Sequence, residues 1–373
     1  MKIVHVTPFY YPIIGGVENV AQRVAEYMAY SGNEVYVLTY NRLRADGINS
    51  LHREEIINNV HVIRLKPYFA WSHGTYSSEL PKALRKLAPD LIHVHAWRHP
   101  HVFQVARLKD ELGFKAILHG HAPFYKLNQL GMLTWIYHKV VDRVKKASLK
   151  KYDVIIALTP HEKYILIKRL GVQGEKIVVI PNGITAELGN CAKISTENFY
   201  MVLYLGRISK SKNLDLLVKA IRNVKTKNEN VKLVMAGPDE GLITSLNDYA
   251  LKHSINFQYL GIVSDNEKST LYQECTIFAH PALYEGFGIT LLEAQAFGKP
   301  CVITGEGGQV YVAPPRRTSL HVKPSPRDMG QAISLLLSDK ELYRELSDNA
   351  KEWSSQHTWS RILPKYDSVY NLP

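Results

Sequence analysis

Two doubly wound, Rossmann-like α/β domains are what this sequence predicts. Short apolar, β-branched runs alternate with longer amphipathic ones, as the strands and helices of a parallel sheet require. That pattern stops at a turn signal, Pro181-Asn182-Gly183, and then starts again. The chain of 373 residues is also longer than one hydrophobic core comfortably encloses.

In chain order, strands are predicted at Lys2–Thr7, Glu34–Tyr40, Leu91–His95, Ala116–His119 and Val154–Leu158. Helical spacing of apolar residues falls between them, over Val17–Ser31 and His101–Leu112. These elements make the first domain, residues 1–184. A polar stretch of little periodicity makes the linker, 185–198. The second domain, 199–356, has strands at Tyr200–Leu205, Val231–Ala236, Phe257–Leu260, Thr276–Ala279 and Pro300–Thr304, with helices between. From Ser325 the chain reads as successive helices. The last stretch, 357–373, is expected to return to the first domain as a helix. No solenoid-like repeat is visible.

An apolar fraction of 46% with 21% charged residues describes an ordinary globular chain. No uninterrupted apolar run reaches the length of about 18 residues that crosses a bilayer, and Met1 to Val6 reads as a buried strand without the layout of a signal peptide. The expected location is cytoplasmic. Cys191, Cys275 and Cys301 are too few and too widely spaced for a disulfide framework or a zinc knuckle, and are read as buried small hydrophobes. The formal charge of +12 is lopsided: residues 1–180 hold 25 Lys/Arg against 14 Asp/Glu, residues 181–373 hold 21 against 20. Such a surface attracts nucleic acid, anionic lipid or a polyanionic substrate, and charge alone does not choose among them.

Ligands of doubly wound sheets gather beyond the carboxyl ends of the strands, and three segments there carry suitable chemistry. Gly15-Gly16 precedes a helix, where backbone amides without Cβ hindrance meet a phosphate; the plainer reading is a tight turn. Gly206-Arg207 follows a strand, with Lys212 just before the next helix, a fork and a point charge suited to diphosphate oxygens; the plainer reading is a solvated charge cluster with Lys210. Third, Glu285-Gly286-Phe287-Gly288-Ile289-Thr290 opens a helix that also carries Glu293. The two carboxylates lie somewhat over two helical turns apart and so have separate tasks: Glu285 to accept from sugar hydroxyls, Glu293 from a ribose diol, with helix-terminal amides left for phosphate.

Glu285-Gly-Phe-Gly with Glu293, preceded by Gly206-Arg207, Lys212 and Gly15-Gly16, resembles the donor-site signature of the GT4 family of retaining glycosyltransferases. The likeness runs through nearly the whole chain, including Pro181-Asn182-Gly183 and Gly298-Lys299-Pro300. It implies a GT-B fold: two Rossmann-like domains facing a central cleft, a nucleotide sugar held mainly by the second domain and an acceptor by the first. The donor would be UDP- or GDP-linked, with no cofactor and no metal. Arg207 and Lys212 would neutralise the leaving diphosphate, and the sequence has no Asp-X-Asp triplet of the metal-dependent type and no His or Cys cluster at ligand spacing. The family also places a histidine after the strand Ala116–His119. His121 is favoured over His119 for contact with the donor sugar, orienting it rather than serving as general base. By the same likeness His95 and Trp97 lie at the acceptor-side rim, with His119 as a further candidate there. The run His93, His95, His99, His101 is not read as a metal site, because no acidic or Cys partner accompanies it. After Thr304 the glycine-rich turn Gly305-Glu306-Gly307-Gly308 is kept, but Ala313–Val322 departs from the family pattern, which leaves donor-sugar selection open.

Lys126 to Lys151 reads as a basic amphipathic helix with one acid, Asp142. It suits an anionic membrane surface, giving a peripheral position on the inner face of the cell membrane, or else packs on the core with a solvated basic face. No pattern for specific nucleic-acid binding is present. The predicted activity is retaining hexosyl transfer from a nucleoside-diphosphate sugar to a sugar, lipid or lipid-linked acceptor. The alternatives are nucleotide-sugar binding without turnover and a GT-B epimerase.

Overall fold

A computed structural model describes residues 1–13, 15–42, 51–71, 74–121, 124, 127, 131–185, 200–224 and 231–372. The linker placed at 185–198 lies, apart from Thr185, outside the described residues, as do Cys191, Lys126 and 128–130. The chain forms two compact units. One comprises residues 1–124, 131–182 and 362–373; the other comprises 125–130 and 183–361.

In the first unit, β1 (Lys2–Val6), β2 (Glu34–Tyr40), β3 (Glu54–Ile57), β4 (Val60–Leu65), β7 (Leu91–His95), β8 (Lys115–His119), β9 (Val154–Ala157) and β10 (Ile177–Val179) form a sheet in the order β10-β9-β8-β7-β1-β2-β4-β3. All neighbours are parallel except β3 on β4. A small antiparallel pair, β5 (Phe69–Trp71) and β6 (Gly74–Tyr76), stands apart. The strand order reverses between β1 and β7, so the crevice beyond their carboxyl ends is where a ligand is expected. The helices are α1 (Gly16–Tyr30), α2 (Glu79–Leu87), α3 (Pro100–Leu112), α4 (Met132–Lys145) and α5 (Pro160–Leu170). Local sequence explains their ends: α5 starts with Pro160 after Thr159, whose hydroxyl accepts from the Glu162 amide, and stops at the left-handed Gly171.

The strands expected from composition leave residues 54–76 unassigned, yet they hold four short strands. The hairpin β3–β4 turns on Asn58-Asn59, both with positive φ, the two-residue turn that suits the twist of paired strands; that dipeptide between Ile57 and Val60 was the available signal.

The second unit has a fully parallel sheet of β11 (Tyr200–Leu205), β12 (Val231–Ala236), β13 (Phe257–Tyr259), β14 (Ile277–His280), β16 (Cys301–Ile303) and β18 (Ser319–His321), in the order β13-β12-β11-β14-β16-β18. Its reversal falls between β11 and β14. A separate parallel pair joins β15 (Tyr284–Glu285) to β17 (Glu306–Gly307). Helices α6 (Leu214–Ile221), α7 (Ile243–Lys252), α8 (Asp265–Glu274), α9 (Ile289–Ala296), α10 (Gly308–Val312), α11 (Pro326–Ser338) and α12 (Lys340–Ser355) complete it. Leu203 on β11, Phe278 on β14 and Leu217 on α6 are fully buried, as the near-continuous apolar strands of a parallel sheet require. Cys275 and Cys301 are buried, and burial raises both thiols, Cys275 to about 12, so they act as apolar packing groups.

A short turn, α13 (Trp359–Ile362), leads into α14 (Pro364–Tyr370). The latter belongs to the first unit, where Tyr366, Val369 and Tyr370 are buried and the Tyr27 hydroxyl donates to Asp367 at 2.6 Å.

Candidate active site

The second unit gathers its candidate residues at the β11/β14 reversal. β11 is followed by Gly206 with φ 150°, where a Cβ would meet the Tyr204 hydroxyl at 2.8 Å; that hydroxyl donates to the Arg207 carbonyl at 3.0 Å. Lys212 closes a 3-10 turn over Lys210–Lys212, and left-handed Asn213 leads into α6. Its ammonium forms an ion pair with Glu285, on the same oxygen, Oε2, that lies 3.3 Å from His280 Nε2. Burial raises the Glu285 carboxyl, but the Lys212 charge and the His280 contact outweigh it and hold the group well below the usual carboxylate range. The site is therefore a largely buried ion pair. The Arg207 guanidinium lies 2.7 Å from Glu240 and is half exposed.

Glu285 owes its place to glycines across the β15/β17 pair. A Cβ on Gly307 would lie 2.5 Å from the Glu285 carbonyl oxygen, and one on Gly308 only 2.0 Å from that of Gly286. These are backbone collisions that no rotamer relieves. Gly308→Ala is accordingly expected to displace the Glu285 loop, lowering the melting temperature and reducing donor affinity by at least about tenfold, the scale of a 1.4 kcal/mol loss. Unchanged affinity by titration calorimetry would count against this placement.

Gly288, with φ 90°, precedes α9, and no side chain caps that helix start. The first-turn amides of Ile289 and Thr290 are thus left for an anion. Phe287 is buried and contributes packing, near Tyr311. Glu293 lies inside α9, nearly buried, with Lys268 at 3.1 Å from one oxygen and the Tyr272 hydroxyl donating to the other at 2.7 Å. Each oxygen keeps a second lone-pair site.

In the first unit, neither Gly15 nor Gly16 is demanded by a turn. Gly15 is extended at φ 179°, and a Cβ on Gly16 would meet nothing within 4 Å. The tight-turn explanation therefore has no support in the backbone, and open space lies beside the start of α1.

On β1, β7 and β8, and just after β8, lies a pile of imidazoles that the sequence did not reveal. His5, His93, His95 and His119 are fully buried, and His121 is half-buried beside them. His119 and His121 stack with centroids 3.9 Å apart, and His93 and His95 at 4.3 Å. Burial lowers every one of these pKa values, that of His121 to about 3, so the rings are neutral. His121 holds φ 58°, uncommon outside glycine, which marks a position fixed by its surroundings.

His95, Trp97 and His119, expected at the acceptor-side rim, are all buried, and Trp97 donates from Nε1 to Asp142 at 3.0 Å. The sequence shows no histidine cluster at ligand spacing, yet the fold assembles one in space. His5, His93 and His95, and again His95, His119 and His121, have nitrogens within 4.8 Å of one another, brought together from three strands rather than from one motif. The donor set does not suit an ion as arranged. Both nitrogens of His95 already bond to other imidazoles, and near-parallel stacked rings do not converge on one centre.

The architecture of each unit is that of the GT-B glycosyltransferases. The fold matches a sucrose-phosphate synthase from Thermosynechococcus elongatus with a TM-score of 0.79 at 21% identity, covering 99% of this chain and 98% of that one. It also matches Anabaena HepE, solved in complex with UDP and glucose, with a TM-score of 0.78 at 18% identity over the whole of both chains. Two family models match: Glycosyltransferase Family 4 over residues 14–188 and Glycosyl transferases group 1 over residues 192–353. The chain belongs to the GT4-type glycosyltransferases. Among its relatives, an uncharacterised glycosyltransferase of Methanocaldococcus jannaschii is 26% identical over 100% of this chain and 98% of the relative. A phosphatidylinositol N-acetylglucosaminyltransferase component from Arabidopsis thaliana is 24% identical over 100% of this chain and 82% of the relative.

Proposed function

We propose that this glycosyltransferase moves a hexosyl group, with retention and without a metal, from a UDP- or GDP-linked sugar to a lipid or lipid-linked sugar at an anionic membrane surface. The observation that carries the donor half is the buried Lys212–Glu285 pair with His280, at the β11/β14 reversal and beside the uncapped start of α9. Lys212 supplies a fixed positive charge for the diphosphate, and Arg207 a second one on leaving Glu240. No described residue takes Glu285 Oε1, which is left to accept from a sugar hydroxyl. Glu293 takes the ribose diol, and His121 orients the donor sugar. The sugar–phosphate bond breaks as the acceptor oxygen bonds to the same face of the anomeric carbon, and the acceptor proton passes to the leaving phosphate oxygen. Two names support the substrates: HepE was solved with UDP-glucose, and the Arabidopsis relative is named for transfer to phosphatidylinositol.

The membrane part rests on α4. Leu133 (84% exposed), Val140 and Val144 lie on one exposed face with Met132 and Ile136, so this face is not packed on the core. Lys139, Arg143 and Lys145 accompany it, and the Lys146–Lys151 turn adds more lysines. Asp142, the acid of the helix, is taken by Arg98. Each basic residue near an anionic surface adds about 1 kcal/mol, and exposed leucine and valine insert among the headgroups. No described helix is long and apolar enough to cross a membrane.

The test is a panel of UDP- and GDP-sugars, with and without a lipid extract, following released nucleoside diphosphate. One donor should be consumed, faster with lipid. Leu133→Glu with Val140→Glu should lose sedimentation with phosphatidylglycerol vesicles while donor affinity in solution is unchanged. Donor bound but never consumed would point to binding without turnover, and consumption to an isomeric nucleotide sugar without an acceptor would point to an epimerase.

A further inference from the structure

We infer that Tyr370, at the end of α14, sets the tautomer of His121 through a buried hydrogen-bond chain, with His5 and His95 as the intermediate positioning residues and His93 fixing the Tyr370 hydroxyl. The reading rests on the proposed role of His121 at the donor sugar. The links are short and consecutive. The Tyr370 hydroxyl oxygen lies 2.6 Å from His93 Nδ1 and 3.3 Å from His5 Nε2. His5 Nδ1 lies 3.1 Å from His95 Nε2, and His95 Nδ1 lies 3.1 Å from His121 Nε2. Two imidazoles in series, His5 and His95, thus join the C-terminal helix to the residue with the strained backbone.

A neutral imidazole carries one N–H and one lone pair, so in a chain of this kind fixing one ring fixes the next. Only two polarities exist, and the single Tyr370 proton chooses between them. Were it given to His93 Nδ1, the His93 proton would sit on Nε2, which is buried and has no hydrogen-bond partner among the described residues. A buried N–H without an acceptor is rarer and costlier than an unpaired lone pair. The chain therefore runs the other way. His93 Nδ1–H donates to the Tyr370 oxygen, Tyr370 O–H to His5 Nε2, His5 Nδ1–H to His95 Nε2, and His95 Nδ1–H to His121 Nε2. His121 is left with its proton on Nδ1, as a donor suited to a sugar oxygen. Burial of Tyr370 keeps its hydroxyl protonated, raising its pKa well above the ordinary value. His101 stays outside the chain, bonded through Nε2 to the His95 carbonyl at 2.7 Å.

A merely structural tyrosine would leave His121 unchanged when its hydroxyl is removed with the ring retained. Two-bond nitrogen–proton NMR correlations of the 15N-labelled full chain report each histidine tautomer without substrate. The wild type should show His121 protonated on Nδ1. Tyr370→Phe should turn that signal into a mixture with the Nε2–H form, and lower kcat for donor turnover about tenfold, less than the roughly hundredfold or more that a positioned proton-bearing group itself supplies, with KM unchanged. Should Tyr370→Phe fail to fold, His5→Leu breaks the chain one link nearer His121 with an apolar side chain no bulkier than phenylalanine, and the same mixture is expected. A wild-type His121 protonated on Nε2, or an unaltered His121 tautomer in a folded variant, overturns the inference. A wild type that keeps the Nδ1–H form yet turns over no donor upholds the chain and removes the transferase reading instead.

Discussion

Lys212→Ala is expected to reduce donor turnover at least about a thousandfold, because it removes the fixed charge at the leaving diphosphate where a single preorganised donor already counts for roughly two to three powers of ten. The same change strands Glu285. Burial pushes that carboxyl up, and without the ammonium only His280 opposes it, so Glu285 should take up a proton near neutrality. Opening a buried pair from one side costs about 3–5 kcal/mol, so activity has to be compared with a melting curve. The sign of the pH dependence separates the two effects. In the wild type the folded-state pKa is depressed, so the stabilisation is fully present above the unfolded value of 4.5 and fades as pH falls below it. In the variant this acid-side loss should disappear, because the buried group is already neutral. Lys212→Arg, which keeps the charge, should restore part of the turnover. A well-folded Lys212→Ala with more than a tenth of wild-type turnover would remove Lys212 from the mechanism.

Acidification from pH 7 to pH 5 should unfold the first unit. His5, His93, His95 and His119 are fully buried, with pKa values pushed down by loss of hydration, that of His5 to about 3. Their folded form is the neutral one. The stability they allow is complete above the unfolded value of 6.5 and is lost as pH falls below it, since the unfolded chain then takes up protons that the folded chain refuses. At pH 5 each ring costs about 2 kcal/mol, and four together cost on the order of 8 kcal/mol, comparable with the whole stability of a domain. Hydrogen exchange read by mass spectrometry on peptides covering β1, β7 and β8 should show protection at pH 7 and global opening at pH 5, after correction for the intrinsic rate. Equal protection at the two values would mean that these rings are hydrated or already charged in the fold.

The parallel strands and the Glu285–Glu293 motif were legible because they are local. Tyr200–Leu205 announces a buried strand by its own composition, and Glu285-Gly-Phe-Gly with Glu293 fits within a helical start whose spacing can be counted. The hairpin at Asn58-Asn59 was equally local and was overlooked. The glycines Gly305, Gly307 and Gly308 show the limit: their sequence suggests a turn, but their necessity comes from carbonyls of Leu283, Glu285 and Gly286 on another segment.

By itself the sequence determined two parallel α/β units, the family resemblance, and which residue types meet at the donor end, because periodicity, turn chemistry and short motifs act over a few residues. Only the tertiary structure decided that Lys212 meets Glu285 across 73 positions, that Arg207 turns to Glu240, and that His5, His95, His121 and Tyr370 form one chain. Those contacts depend on which strands are neighbours. The order β8-β7-β1 puts three separate histidine-bearing strands side by side, and no spacing along the chain encodes that adjacency.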